Sequence, residues 1–297
     1  MVDPPRILFG IFPVPSAADY PAIVEQVLAA EREGLELVGI QDHPYQRRFL
    51  DTFVLIADLL ARTTRLTFFP DVANLPLRGP VMIAKMAASL DVMSGGRFEL
   101  GLGAGVFWDA VAGMGGPRRS AGESIDTLEE AVAIVRAALD GERVVRGPGP
   151  FYPVPGYPPG PPPAHRVEIW LGAYRRRGLG LTGRLADGWL PSLSYMDPDA
   201  FRAASRIIDE AAAGAGRGPR SIRRIYNVAG RITAGDRGDG PLDGPVDQWV
   251  ETLTGWALDL GVDGFIFWPP DTSVLAVERF AAEVAPAVRA AVEAERA

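Results

Sequence analysis

Cysteine is absent from the 297 residues, which excludes a disulfide framework, a thiolate nucleophile and a thiolate-bound metal. Histidine is nearly absent too: His43 and His165 are the only two, too few for a histidine-rich site, so no metal is expected. Lysine is reduced to Lys85 among 30 basic residues. These face 37 acidic ones, and the net charge of -7 argues against a nucleic-acid partner, which requires clustered basic residues. Long apolar runs are also missing. A charge, proline or glycine interrupts each well before the roughly 18 residues that suggest a membrane span, so no membrane association is expected. The N-terminus reads Met-Val-Asp-Pro-Pro-Arg and runs straight into an apolar strand, without the basic and hydrophobic regions of a signal peptide; a cytoplasmic location follows as the expectation. No G-x-S-x-G elbow, Walker loop or H-E-x-x-H helix occurs.

What the sequence has is a rhythm. Short apolar runs alternate with longer segments of helical period, the mark of βαβ units around a parallel sheet. Strands are predicted at 7–12, 37–41, 65–73, 97–103, 167–172, 187–191, 224–232 and 263–268. Helices are predicted at 19–33, 51–62, 80–94, 122–139, 174–184, 198–213, 245–260 and 273–295. Eight pairs in one chain of this length, 47% hydrophobic, predict an α/β fold: a single (β/α)₈ TIM barrel with loop insertions, residues 1–297 forming one domain. Pro80, Pro198 and Pro245 fall in first turns, where the missing N–H costs nothing. Ser120-Ala-Gly-Glu123 reads as a capping box.

Two stretches break the rhythm. Residues 146–164 carry too much proline for a helix or interior strand and read as a stiff surface excursion. Residues 233–243, rich in Gly and Asp, read as a mobile loop after strand seven. Gly178-Leu-Gly180-Leu-Thr-Gly183 matches a dinucleotide fingerprint letter for letter. Its context is wrong, because the first glycine of that fingerprint follows a strand at once, whereas these fall inside helix five. Close helix–sheet packing is the reading preferred.

In a parallel barrel the site lies at the carboxyl ends of the strands. That rule selects Phe12, Asp42 and His43, Asp71 and Asn74, Gly103 to Asp109, Gly172 to Arg177, Trp189 and Ser192, Tyr226 and Asn227, and Trp268. An imidazole at such a position can exchange protons near neutral pH, though a histidine before Pro44 can equally just end a strand. Gly101-Leu-Gly103-Ala-Gly105 admits a planar ligand or a phosphate against the backbone, or makes a tight exit turn. Arg175-Arg176-Arg177, at a helix start, suits an anion or simply solvent.

Taken in order, four stretches resemble the luciferase-like monooxygenase superfamily, over nearly the whole chain. They are Gly34-Leu-Glu-Leu-Val-Gly-Ile-Gln-Asp-His43; Val72-Ala-Asn-Leu-Pro-Leu-Arg-Gly-Pro80; Ser89-Leu-Asp-Val-Met-Ser-Gly-Gly-Arg-Phe-Glu-Leu-Gly-Leu-Gly-Ala-Gly105; and Ile169-Trp-Leu-Gly-Ala-Tyr174 with Gly183-Arg-Leu-Ala-Asp-Gly-Trp189. The third is the most specific. The resemblance implies an FMN- or coenzyme F420-dependent oxidoreductase. His43, with Asp42, would form the catalytic pair. Asp71-Val72 would be joined by a non-proline cis peptide behind the isoalloxazine ring. Asp71, Val72, Asn74, Gly103, Ala104 and Gly105 would line the cofactor, and Gly172, Ala173, Tyr174 and Arg175 would hold its phosphate.

Departures narrow the expectation. Val106 stands where sugar-phosphate dehydrogenases of the family carry an acid, and Asp109 replaces a frequent asparagine. Phe12, Phe107, Trp108, Asp109, Trp189 and Trp268 are the predicted substrate-facing set, the aromatics giving a planar or apolar surface, with core packing as the competing explanation. The expectation is therefore hydride transfer with coenzyme F420 to or from a small organic substrate. The alternatives are an FMN monooxygenase, served by a flavin reductase, or a noncatalytic flavin-binding protein. A homodimer is the family habit.

Overall fold

Runs of apolar residues make the barrel strands because a parallel strand is covered on both faces, by helices outside and by its neighbours' side chains inside. A computed structural model describes residues 6–296. The strands are β1 (Leu8–Ile11), β2 (Leu37–Ile40), β3 (Thr67–Pro70), β4 (Ala73–Asn74), β5 (Leu100–Gly103), β6 (Ile169–Gly172), β7 (Gly188–Trp189), β8 (Arg223–Ala229), a small outlying pair β9 (Arg231–Ile232) and β10 (Asp243–Gly244), and β11 (Gly264–Trp268). Nine of them pair in the order β3-β2-β1-β11-β8-β7-β6-β5-β4. β3 and β4 are two halves of one barrel strand. Main-chain bonds join Phe68 to Arg97 and Glu99, so the sheet is a nearly closed parallel barrel, as predicted.

The helices are α1 (Tyr20–Arg32), α2 (Thr52–Arg62), α3 (Leu75–Arg78), α4 (Pro80–Ser94), α5 (Trp108–Gly113), α6 (Ala121–Leu139), α7 (Arg176–Leu185), α8 (Pro198–Gly214), α9 (Val246–Asp259), α10 (Val274–Arg279) and α11 (Ala285–Arg296). The capping box at Ser120 and Glu123 is formed on α6, and Asp51 caps α2 through Phe53 and Val54. Pro80 and Pro198 open their helices, whereas Pro245 is the N-cap of α9 rather than its first turn.

Two cores result. Phe12, Leu37, Phe69, Trp170, Leu190, Ile225 and Ile266 form a compact cluster inside the barrel, while the much larger cluster lies between strands and helices. Four predicted elements are broken up. Residues 65–73 are interrupted after Pro70, residues 187–191 contain only the two-residue β7, and residues 224–232 split into β8 and β9. Residues 273–295 become α10, a π turn at 280–284, and α11.

The glycines of the false dinucleotide motif do lie in α7: Gly178 packs against Ala173, just after β6, while Gly183 serves close helix–helix contact. A Cβ on Gly183 would stand 2.3 Å from the Ile208 carbonyl oxygen of α8. The proline-rich excursion is fastened at separate points. The carboxylate of Glu130 accepts from the N–H groups of Phe151 and Tyr152, Lys85 donates to the Gly160 carbonyl, and Asp91 accepts from Ala164 and His165.

Candidate active site

The chain leaves β2 through Gln41, Asp42 and His43. Asp42 is buried and fully engaged: one oxygen accepts the Asn74 N–H at 2.8 Å, and Arg78 reaches both oxygens at 2.7 Å. Such a bidentate, desolvated pair is geometrically rigid. Arg78 also reaches Asp51 at 2.7 Å and lies over the Phe53 ring. Asp42 is thus placed as an anchor beside the site, not as a free acid or base.

His43 is half-buried, and its Nδ1 is 2.7 Å from the Tyr45 hydroxyl. Phe107 meets the imidazole edge-on at 5.8 Å. Burial holds His43 below the ordinary histidine range, partly offset by the charge of Asp42. Tyr45 is pushed up to about 12 by burial and by Asp42, so it stays neutral. With Nδ1 occupied, Nε2 is the nitrogen without a hydrogen-bond partner among the described residues. Tyr45 and Arg78 were not singled out from the sequence. The nearest signals were the short His43-Pro-Tyr45 spacing and the arginine before Gly79-Pro80, neither specific without the fold.

The adjoining strand breaks as the resemblance implied: the Asp71–Val72 peptide is cis. The glycines around it explain themselves locally. A Cβ on Gly103 would be 2.5 Å from Val72 Cγ2, one on Gly172 would be 3.2 Å from Val72 Cγ1, and one on Gly101 would be 2.1 Å from the Pro70 oxygen. The collar of glycines thus admits the Val72 bulge. Asp71 points the other way, against Gly39 of β2. Its Oδ2 is buried without a hydrogen-bond partner, as are Asn74 Oδ1 and Asn227 Oδ1. Burial pushes Asp71 up to about 7, and Asn227 lowers it only in part. Asn227 Nδ2 donates to Ser192 Oγ at 3.2 Å, and the Ser192 N–H donates to the Tyr174 hydroxyl at 3.2 Å. The mouth therefore has a polar floor laid over the apolar barrel interior.

After β5 the chain turns at Gly105, with φ of 97°, and at Phe107, whose φ of 57° is left-handed for a side-chain-bearing residue. Phe107 is exposed and Trp108 half-buried, with Ala104 also half-buried at the turn. Asp109 stands out in solvent and pairs with Arg118, so it sits on the rim. Across the mouth Phe12 and Trp268 pack at 4.9 Å. A cavity of about 230 Å³ and another of about 500 Å³ flank Trp268. The second is lined by Tyr195, Arg231 and Pro270 among others.

Trp189 corrects the substrate-facing set. It pairs in register with Leu171, is wholly buried, packs at a tilt on Phe201 of α8 and donates its indole N–H to the Ala173 carbonyl. The pleat points it to the helix layer, and its neighbour Leu190 takes the inward position. At the start of α7, Arg175 is the N-cap and no side chain caps the helix. Arg175 and Arg176 are exposed, whereas Arg177 pairs with Asp126.

The luciferase-like monooxygenase family matches residues 7–236. The chain belongs to that family. An uncharacterised protein of Mycobacterium tuberculosis is 37% identical over 142 residues, 48% of each chain. A phthiodiolone/phenolphthiodiolone dimycocerosates ketoreductase of the same organism is 31% identical over 200 residues, 63% of this chain and 47% of the relative. The chain spans about half the length of the curated relatives it matches. Among solved structures, a coenzyme F420-dependent tetrahydromethanopterin reductase from Methanopyrus kandleri superposes with a TM-score of 0.81 at 18% identity, covering 95% of this chain and 99% of that one. An EDTA monooxygenase from Chelativorans sp. BNC1 gives 0.81 at 15%, covering 96% and 94%. These likenesses establish the shared barrel.

Proposed function

We propose that this member of the luciferase-like family is a coenzyme F420-dependent oxidoreductase acting on a small organic substrate. The observation that carries the reading is His43: an imidazole at a strand's carboxyl end, kept neutral by burial, with one nitrogen tied to Tyr45 and the other free. It stands one strand from the cis Asp71–Val72 bulge. The residues present fit a planar redox cofactor. The buried oxygens of Asp71, Asn74 and Asn227 await donors, as a ring edge bearing N–H groups provides, and the uncapped start of α7 with Arg175 suits a phosphate.

Gly103, Ala104 and Gly105 would flank the sugar-alcohol side chain, and Gly172, Ala173 and Tyr174 would approach the phosphate with Arg175. When bound, the deazaflavin supplies hydride chemistry that no side chain can. The protein's part is to position the ring against Val72, to exclude water with Phe107, Trp108, Phe12 and Trp268, and to move a proton at His43 Nε2. Asp42 keeps that imidazole in place through the Arg78 anchor. The same mouth in a homodimer using reduced FMN, supplied by a flavin reductase, would carry out oxygen insertion instead.

Anaerobic titration of the apoprotein with coenzyme F420 and with FMN decides between them. Micromolar binding of the deazaflavin is the expected result, and tight FMN binding with none of the deazaflavin would overturn the preference. A His43→Ala variant is expected to bind the cofactor and lose turnover by about 10²-fold or more, the usual worth of a positioned proton donor. Absence of turnover in the wild type with every donor tested would leave a noncatalytic binding protein.

A further inference from the structure

We infer that Asp71 is a second proton-exchanging residue of this site, one that meets the ring of the bound cofactor as a neutral carboxylic acid and repels it once ionised. The inference rests on the reading that a flavin or deazaflavin occupies the mouth. It adds a role that neither the family match nor the fold assigns to this side chain.

The geometry is unusual for an aspartate. Its side chain lies against Gly39, where even a methyl group would come within 3.1 Å of Oδ2. No hydrogen bond satisfies that buried oxygen, no cation is among the causes that shift the group, and Arg78, at the end of α3, is spent on Asp42 and Asp51. A buried acid with no paired cation, and with Asn227 as the one donor that offsets its burial, favours its protonated form. Raised to about 7, it sits where a small change of surroundings alters its state.

The groups facing it from each neighbouring element carry no opposing charge. From β2 comes Gly39; further along the chain the Asp42 carboxylate is already paired with Arg78. From β8 comes Asn227, and after β6 Tyr174, which burial keeps protonated and which Asp71 pushes further the same way. Ser192, after β7, is tied to Asn227 and Tyr174, and Tyr195 packs on Tyr174. Beneath lies the apolar interior of Phe69, Trp170 and Ile266.

A neutral carboxyl there has one O–H to donate to a carbonyl oxygen or ring nitrogen. Ionised, it would repel a reduced flavin or deazaflavin ring that has lost its ring proton and is anionic, at a depth where charges are poorly screened. The reduced cofactor is therefore held together with the proton on Asp71, and raising the pH removes both. No bond between heavy atoms is made or broken in this step, and the proton passes between the carboxyl and water.

The test measures dissociation constants of reduced coenzyme F420 and reduced FMN between pH 5.5 and 8.5, for the wild type and Asp71→Asn. In the wild type, affinity for the reduced form is expected to fall about tenfold per pH unit above the titration of one linked proton, while the isosteric amide gives a flat profile. An infrared difference spectrum of the wild type alone is the second measurement. A protonated carboxyl band must titrate near neutrality in the apoprotein and shift when cofactor binds. The same pH dependence in both proteins, or no such band, overturns the role of Asp71 and leaves the cofactor reading standing. Failure of both cofactors to bind at any pH overturns both.

Discussion

Arg78 forks onto Asp42, with its Nε and Nη2 each 2.7 Å from a carboxylate oxygen. That relationship makes the aspartate next to His43 a fixed post. The pair is 36 residues apart in sequence and fastens the turn after β4 to the end of β2.

Removing one partner of such a buried pair strands the other charge and costs about 3–5 kcal/mol. Arg78→Met is therefore expected to lower unfolding stability by about 3 kcal/mol in a urea titration, and to raise the pKa of His43 because Asp42 is no longer neutralised. A loss below about 1 kcal/mol, the worth of an exposed pair, would show that the anchor is not buried in solution.

With two histidines in the chain, a ¹H–¹⁵N titration resolves both. His43 is expected to titrate below the ordinary value. His165 is expected to titrate above it: burial alone would depress it, but contacts to Glu99 at 3.1 Å and Asp91 at 2.7 Å outweigh that. Glu99 is pushed up to about 7 by burial, with His165 offsetting part. Both raised groups bind protons more tightly folded than unfolded, so their stabilisation is complete at low pH and is lost as pH rises through their folded values. The urea midpoint should therefore fall between pH 5 and 8, and Glu99→Gln should flatten the decline. A midpoint that instead rises over this window in wild type and variant alike would contradict the sign.

The glycine collar makes a graded prediction. Gly103→Ala places a Cβ 2.5 Å from Val72 Cγ2, whereas Gly172→Ala meets the same side chain at 3.2 Å. Overpacking costs about 1–3 kcal/mol. The first variant is expected at the upper end, with cofactor affinity down by about tenfold or more, and the second near the lower end. Equal effects in thermal melts and binding titrations would mean that Val72 is not the neighbour that matters.

In α7 the glycines of the dinucleotide-like motif separate cleanly. Gly183→Ala drives a Cβ to 2.3 Å from the Ile208 oxygen and should destabilise by about 2–3 kcal/mol. Gly180→Ala meets only the far end of Arg184 at 3.7 Å and should stabilise by up to about 1 kcal/mol through helix propensity. A nicotinamide dinucleotide should bind neither the wild type nor the variants in calorimetry.

Much of the fold was legible because its signals are local. Apolar runs of strand length, proline at helix starts and the Ser120–Glu123 box each act within a few residues, and the barrel follows from their alternation. The cis Asp71–Val72 peptide was legible only through resemblance. Trp189 was misplaced because a two-residue strand carries too little pattern to fix which face its tryptophan takes, and its register with Leu171 is a tertiary fact.

The sequence by itself determined the barrel, the family and the strand end on which His43 stands. The tertiary structure alone decided what surrounds it: Asp42 tied to Arg78, Tyr45 on Nδ1, Trp189 turned to the helices and the Oδ2 of Asp71 buried without a partner beside Gly39. The physical reason is the same in each case. Strand ends are set by short-range pattern, but the charge state and direction of a side chain there depend on partners that only barrel closure brings within hydrogen-bond reach.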